Sequence, residues 1–253
     1  MKYLIYFLIT FLLFIPQTIY GGVDFDGDEA LNCGNDANYP TDFPFTVSVW
    51  FKVDGTNHTQ NVWSWSDLSS STVYLSMRIQ NSPLDCTFQI RDGGATDTTS
   101  SDALPDGIVL CTYKSNADND EIYVNGVSQR TSTSTFPSSS AVDQQAIGSL
   151  CRSGVCTTDN FTGEIYEVAF WDVELTDAEI AQLYNGGMYG MPLQIRPNNL
   201  LSYWNLGDVK AGVSAEGFVF QNRANPGTGD CTGDDGANNT GLTGADNSGL
   251  SYP

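Results

Sequence analysis

Six cysteines, one histidine and thirty carboxylates are the residues with chemistry to offer in this chain of 253 residues. Cys33, Cys86, Cys111, Cys151, Cys156 and Cys231 contain no Cys-x-x-Cys spacing, and His58 stands alone. That excludes a zinc ribbon and any site built from several imidazoles. An even cysteine count suits three disulfides, although the count alone does not fix the pairing. Cys151 and Cys156 enclose only Arg152-Ser-Gly-Val155, so pairing them staples a local loop. Cys86 and Cys111 begin and end a predicted pair of adjacent strands and suit a cross-strand bridge. That leaves Cys33 with Cys231, a bridge tying the two ends of the domain together. A serine triad would have to recruit His58 from Asn57-His-Thr59, and no Gly-x-Ser-x-Gly elbow is present. Gly227-Thr-Gly229 follows no strand and opens no helix, so it is no nucleotide loop. Asp24, Asp26 and Asp28 alternate like the start of an EF-hand, as do Asn116, Asp118 and Asp120. Glu29 and Glu121 fall where that loop requires glycine, so neither run is one.

The elements that must position such groups follow from composition. Ten Lys and Arg against thirty Asp and Glu give a net charge of -20, which repels a phosphate backbone and excludes nucleic acid as a partner. With 40% apolar and 12% aromatic residues the chain can bury a sizeable core. Lys2 precedes the apolar run Tyr3 to Ile15, followed by Pro16 and small residues at Gly21 and Gly22. This is the pattern of a secretory signal peptide over residues 1–21, its apolar block shorter than the ~20 residues a spanning helix needs. No later segment is long and apolar enough to cross a bilayer. The expectation is a soluble product, secreted or displayed at a cell surface. Asn57, Asn160 and Asn238 begin Asn-x-Ser/Thr sequons, which in a eukaryote are glycosylation candidates.

Many short strands follow the leader. Val47, Val49, Phe51 and Val53 alternate with polar or bulky residues, as do Val73, Leu75, Met77 and Ile79, the period of strands with one face buried. Thr87–Ile90 and Ile108–Tyr113 are shorter strands, Ile122–Val124 enters a tight turn at Asn125-Gly126, and Ile165–Trp171 is strongly β-prone. Trp63 and Trp65, two apart, share a strand face, and core packing is the default use of such aromatics, as of Trp50, Trp171 and Trp204. Thr176 with Glu179 forms a capping box before a single helix carrying Ile180, Leu183 and Tyr184. Gly186-Gly187 is expected to end it, and the helix to cover an edge or an end of the sandwich. Leu200–Leu206 is one more apolar segment, and the Gly-, Asn- and Asp-rich tail from Asn225 reads as irregular. The boundaries are a jelly roll over 22–190 and an extension over 191–253 packed on the same domain. The fold class is all-β, an antiparallel two-sheet jelly-roll sandwich with one short helix.

Four segments in order resemble laminin-G-like domains of the concanavalin A-like jelly roll. They are Val23-Asp-Phe-Asp-Gly27 with Phe43 to Phe51, Glu121-Ile-Tyr-Val-Asn-Gly-Val127, Phe161 to Trp171, and Leu175 to Asn185. The resemblance implies two stacked antiparallel sheets, and a fold that carries lectins, adhesion modules, enzymes and structural domains. Laminarinase-like relatives place their two catalytic carboxyls on one strand as Glu-x-Asp-x-x-Glu. Here Glu164 and Glu167 are three apart, which on a regular strand sends them to opposite faces, and no Asp intervenes. The expectation is therefore no catalytic residue. Calcium is the cofactor the resemblance points to, at a sheet edge, with Asp26, Asp28, Asp159 and Asn160 as its first ligands. The alternative for each is a solvated turn residue. The loops around Asp92-Gly93-Gly94 and Thr157–Asn160 are places for a polar rim. The reading is a non-catalytic binding or adhesion module recognising a glycan or an extracellular protein. The alternatives are a self-associating structural subunit of a cell or virion surface, and a glycoside-active enzyme.

Overall fold

The computed structural model describes residues 21–34, 43–54, 58–81, 83–116, 118–133, 142–185, 192–234 and 243–244. Most of the leader, Asn57, Asn238 and Gly186-Gly187 lie outside these. Among the described residues, two eight-stranded antiparallel sheets face each other. The first runs β10 (Val127–Ser132), β9 (Asp120–Val124), β8 (Val109–Ser115), β3 (Phe45–Val53), β14 (Thr162–Trp171), β1 (Val23–Asp26) and β18 (Thr243–Gly244). β15 (Leu200–Asn205) also pairs with β14, beyond the end of β1. The second runs β16 (Val219–Phe220), β17 (Cys231–Asp234), β2 (Ala30–Gly34), β11 (Gln144–Ile147), β4 (Gln60–Ser66), β5 (Val73–Asn81), β6 (Leu84–Asp92) and β7 (Ala95–Ala103). A short hairpin, β12 (Leu150–Arg152) and β13 (Val155–Thr158), stands apart from both.

Alternation fills the space between the sheets. Val47, Val49 and Phe51 point inward to meet Trp63, Trp65, Leu75, Met77 and Phe88 from the opposite sheet. Rings interlock across the gap, Phe88 on Tyr113 at 3.7 Å and Trp63 on Phe170 at 5.7 Å. All five tryptophans are buried, so none offers an exposed plate for a sugar. Cys86 and Cys111 lie within this core on opposite sheets, so their disulfide bridges sheet to sheet rather than strand to strand. Cys33 joins Cys231 across the neighbouring strands β2 and β17, and Cys151 joins Cys156 at the base of the short hairpin. β17 lies in the tail that patterning reads as irregular. Its strand character comes from pairing with β2 and from the cystine, neither of which leaves apolar periodicity.

A second cluster lies on the outer side of the first sheet. The helix α1 (Asp177–Tyr184) buries Ile180 and Leu183 there with Trp50, Leu110, Tyr166 and Trp171. It therefore covers a face, not an edge or an end, because Trp50, Tyr166 and Trp171 make that face apolar. Thr176 Oγ1 accepts from the Glu179 amide, and Glu179 Oε2 accepts from the Thr176 amide at 2.8 Å, a complete capping box. At its start, Asp177 Oδ1 accepts from Lys114 Nζ at 2.8 Å and Tyr123 Oη at 2.7 Å. The C-cap is Asn185 at φ 43°, a residue that tolerates the left-handed region.

Candidate functional site

With the outer side of the first sheet covered by the helix, the polar row lies on the outward side of the second, where Ser76, Thr87 and Ser64 are fully buried and only Arg78 and Arg91 are half-buried. Register fixes who shares it. Tyr74 faces Arg91 across β5 and β6, Ser76 faces Gln89, and Arg78 faces Thr87. On the other flank Asn61 faces Arg78 and Ser64 faces Ser76. Since Leu75, Met77 and Ile79 point into the core, this set points out. Gln89 Oε1 is the focus, accepting from Tyr74 Oη at 2.8 Å and Arg78 Nη1 at 2.7 Å. Around it, Ser76 Oγ, Arg78 Nε, Arg91 Nε and Asn61 Oδ1 are buried without a hydrogen-bond partner. Buried polar atoms without a protein partner cost folding free energy, and ordered water is their usual partner. Lys52, Lys114, Arg130, Arg196 and Arg223 all form ion pairs; Arg78 and Arg91, like Arg152 and Lys210, form none among the described residues. Burial holds the Arg78 guanidinium below its ordinary value, opposed by Tyr74, Asp159 and Asp85 nearby.

The cystine-closed hairpin β12–β13 flanks this face. Ser64 Oγ donates to the Ser149 carbonyl at 2.7 Å, and Gly154 and Ser153 donate to the carbonyls of Leu68 and Ser70. The hairpin thus covers the β4 side and leaves β5 to β7 beside it. The turn at Gly93-Gly94 closes the far end next to Arg91. None of Tyr74, Ser76, Arg78, Gln89 and Arg91 stood out in sequence analysis. Their signal is present: they are the outward positions of the same alternation that identifies the strands, and two of only ten cations fall on them.

The acidic residues assemble differently from expectation. Asp26 and Asp28 come together with Glu29, their carboxylate oxygens within 4.8 Å of one another. Asp159 and Asn160 lie outside that group. The Asp159 carbonyl accepts from the Asn61 amide at 2.7 Å, and Asn160, 6% exposed, accepts at Oδ1 from Ser149 Oγ at 2.8 Å. Glu29, which breaks the EF-hand pattern, joins Asp26 and Asp28. It is fully buried, and its Oε2 accepts from the amides of Asp26, Gly27 and Asp28 at 2.8, 3.0 and 3.2 Å. Burial, with Asp26 beside it, pushes its carboxyl up to about 8. Its Oε1 is buried without a partner. Three convergent carboxylates, one with an unfilled oxygen, fit a hard divalent cation.

Glu164 and Glu167 correct the expectation of opposite faces. A β-bulge between Ile165 and Glu167 inserts Tyr166 into the strand, so all three side chains point outward. Glu164 pairs with Lys52 at 2.8 Å and accepts from Tyr166 Oη at 2.6 Å. Glu167 is 3% exposed, accepts from Tyr203 Oη at 2.9 Å, and is pushed up to about 8 by burial.

A family model described as the concanavalin A-like lectin/glucanases superfamily matches residues 25–181. Among solved structures, the carbohydrate-binding module CBM40 of the Ruminococcus gnavus IT-sialidase, bound to α2,3-sialyllactose, is similar at a TM-score of 0.53 and 16% identity. It covers 64% of this chain and 96% of that one. A putative carbohydrate binding protein from Bacteroides ovatus matches at a TM-score of 0.55 and 17% identity, over 85% of this chain and 57% of the other. A heptameric SAP-like pentraxin from Limulus polyphemus matches at 0.54 and 16%, over 68% and 84%. No curated protein sequence matches the chain. Identities this low carry the fold alone.

Proposed function

The chain belongs to the concanavalin A-like lectin/glucanases superfamily, and from that premise we propose that it is an exported, non-catalytic glycan-binding module taking an acidic sugar on the outward face of its second sheet. The observation that carries this reading is the pair of half-buried guanidinium groups, Arg78 and Arg91, that border the polar row around Gln89 and make no ion pair among the described residues. Guanidinium groups that form no ion pair can match a sugar carboxylate bidentately, while serine, glutamine and asparagine match its hydroxyls. The likeness to modules that bind sialyllactose supports the same class of ligand. Export is supported by three disulfides and by the leader pattern of residues 1–21. The non-catalytic reading is supported by the state of Glu164 and Glu167, one tied to Lys52 and the other buried against Tyr203. Binding on an array of sialylated, uronate-bearing and neutral glycans tests the proposal. It expects retention of the acidic sets only; equal retention of neutral glycans would remove the role of the arginines.

Calcium is proposed as a structural ion at Asp26, Asp28 and Glu29, where it would supply the positive charge that the unfilled Glu29 oxygen lacks. The pH dependence follows from Glu29. Its carboxyl in the fold sits near 8, above the ordinary 4.5, so the metal-free protein loses stability as the pH rises through that value. Calcium requires the ionised carboxylate and competes with one proton below it. The half-saturating calcium concentration should therefore fall about tenfold per pH unit as the pH approaches 8 from below, read from the shift in melting temperature. Glu29→Gln should abolish this slope. An absence of any melting shift in millimolar calcium at alkaline pH would remove the site.

A further inference from the structure

Arg78 differs from the other hydrogen-bonded cations in what holds it. Lys52, Lys114, Arg130, Arg196 and Arg223 each donate to a carboxylate. Arg78 Nη1 donates instead to the amide oxygen of Gln89 at 2.7 Å. Thirty carboxylates against ten cations make an acid the default neighbour of a guanidinium, so a neutral partner is a specific feature. Asp85 and Asp159 act on Arg78 only through space, and neither forms an ion pair with it. Asp85 accepts from Thr87 Oγ1 at 2.7 Å, and Thr87 is the residue directly opposite Arg78. Register explains the contact with Gln89. That residue lies opposite Ser76, so Tyr74 and Arg78 are its two diagonal neighbours on β5. Ser76 is short, and both longer side chains reach Gln89 Oε1, the Tyr74 hydroxyl at 2.8 Å. A guanidinium carries donors only, so the amide oxygen must face Arg78, and the Tyr74 hydroxyl must then donate as well. The oxygen fixes one edge of the guanidinium and leaves its charge uncompensated.

We infer that Gln89 sets the preference of this face for acidic sugars, because it positions Arg78 as an acid would without cancelling its charge. The inference rests on the acidic-sugar reading of the face and assigns its selectivity to one side chain. Gln89 is a positioning residue, acting on the sugar through the guanidinium. Glutamate at this position would accept the same two hydrogen bonds in nearly the same shape. It would also place a carboxylate on Arg78, and an internal pair would take the donors that an external carboxylate needs. An arriving acidic sugar would then meet a compensated cation and a like charge beside it. Opposite signs follow for folding and for binding. A half-buried cation gains a counter-charge, so stability should hold or rise. The face loses its attraction for an anion, so affinity should fall. A glutamine that is only structural would move both together.

Titration calorimetry with sialyllactose and thermal denaturation compare the parent, Gln89→Glu and Gln89→Met. Gln89→Glu should bind sialyllactose about 100-fold more weakly than the parent and melt no lower. Gln89→Met removes the acceptor and adds no charge. It should melt about 3 °C lower, because Tyr74 and Arg78 lose a buried partner, and bind within about tenfold of the parent. The assignment is overturned by a Gln89→Glu protein that binds as tightly as the parent, or that binds no more weakly than Gln89→Met. It is equally overturned if Gln89→Glu fails to fold, or loses affinity and melting temperature together, since the carboxylate keeps both accepted hydrogen bonds. These results leave the acidic-sugar reading standing. A parent that binds no acidic glycan removes that reading, and the selectivity of Gln89 with it.

Discussion

Replacing Arg91 with glutamine should weaken binding of a carboxylate-bearing glycan about 10- to 100-fold, the loss expected for one charge-assisted hydrogen-bonding group. Arg91 makes no ion pair among the described residues, so the substitution breaks none. The melting temperature should accordingly move by less than about 2 °C. Arg78→Gln should weaken binding as much, and it should also destabilise, because Arg78 Nη1 donates to Gln89 Oε1 at 2.7 Å. Arg91→Lys keeps the charge and loses the planar fork, so an intermediate affinity is expected. Titration calorimetry with an acidic glycan and its neutral counterpart reads all three variants. An Arg91→Gln protein that binds acidic glycans as tightly as the parent would place the ligand elsewhere.

The second large effect concerns the cystines. Cys33 and Cys231 are separated by 198 positions, Cys86 and Cys111 by 25, and Cys151 and Cys156 by 5. Chain entropy assigns these closures about 5, about 3.5 and about 2 kcal/mol. Domains of this kind have total stabilities of only about 5–15 kcal/mol, so losing the first bridge should leave the protein near its unfolding limit. Paired Cys→Ala replacements, compared by urea denaturation, should show midpoints falling most for Cys33/Cys231 and least for Cys151/Cys156. The Cys86/Cys111 pair carries an added cost, since both sulfurs lie in the core between the sheets and their loss leaves a cavity. A midpoint that falls further for Cys151/Cys156 than for Cys33/Cys231 would contradict the ranking.

Much of this architecture can be read directly from residue order. The alternation of Val47, Val49, Phe51 and of Val73, Leu75, Met77 identifies strands that each bury one face, and Thr176 with Glu179 marks the helix start. What escapes such reading has a common cause: features set by a partner rather than by local pattern. β7, Ala95–Ala103, is polar almost throughout, and only its pairing with β6 makes it a strand. The bulge at Tyr166 reverses the expected geometry of Glu164 and Glu167, and no two-residue period announces it. Cys86 and Cys111 flank strands close in sequence, but the strands belong to different sheets. Glu29 is concealed for another reason. It looks like a turn acid until three backbone amides are seen converging on one of its oxygens. The polar row on the second sheet is legible in principle, since Tyr74, Ser76 and Arg78 are the polar half of an alternation whose apolar half identifies the strand.

Hydrogen exchange of the exported protein, with and without saturating sialyllactose and with lactose as the neutral control, locates the ligand directly. Sialyllactose should slow exchange along Val73–Ala103, and most around Gln89 and Arg91, while lactose should leave those amides unchanged. Protection confined to the first sheet, to the Asp26–Glu29 turn, or equal with both sugars would contradict an acidic-sugar site on the second sheet.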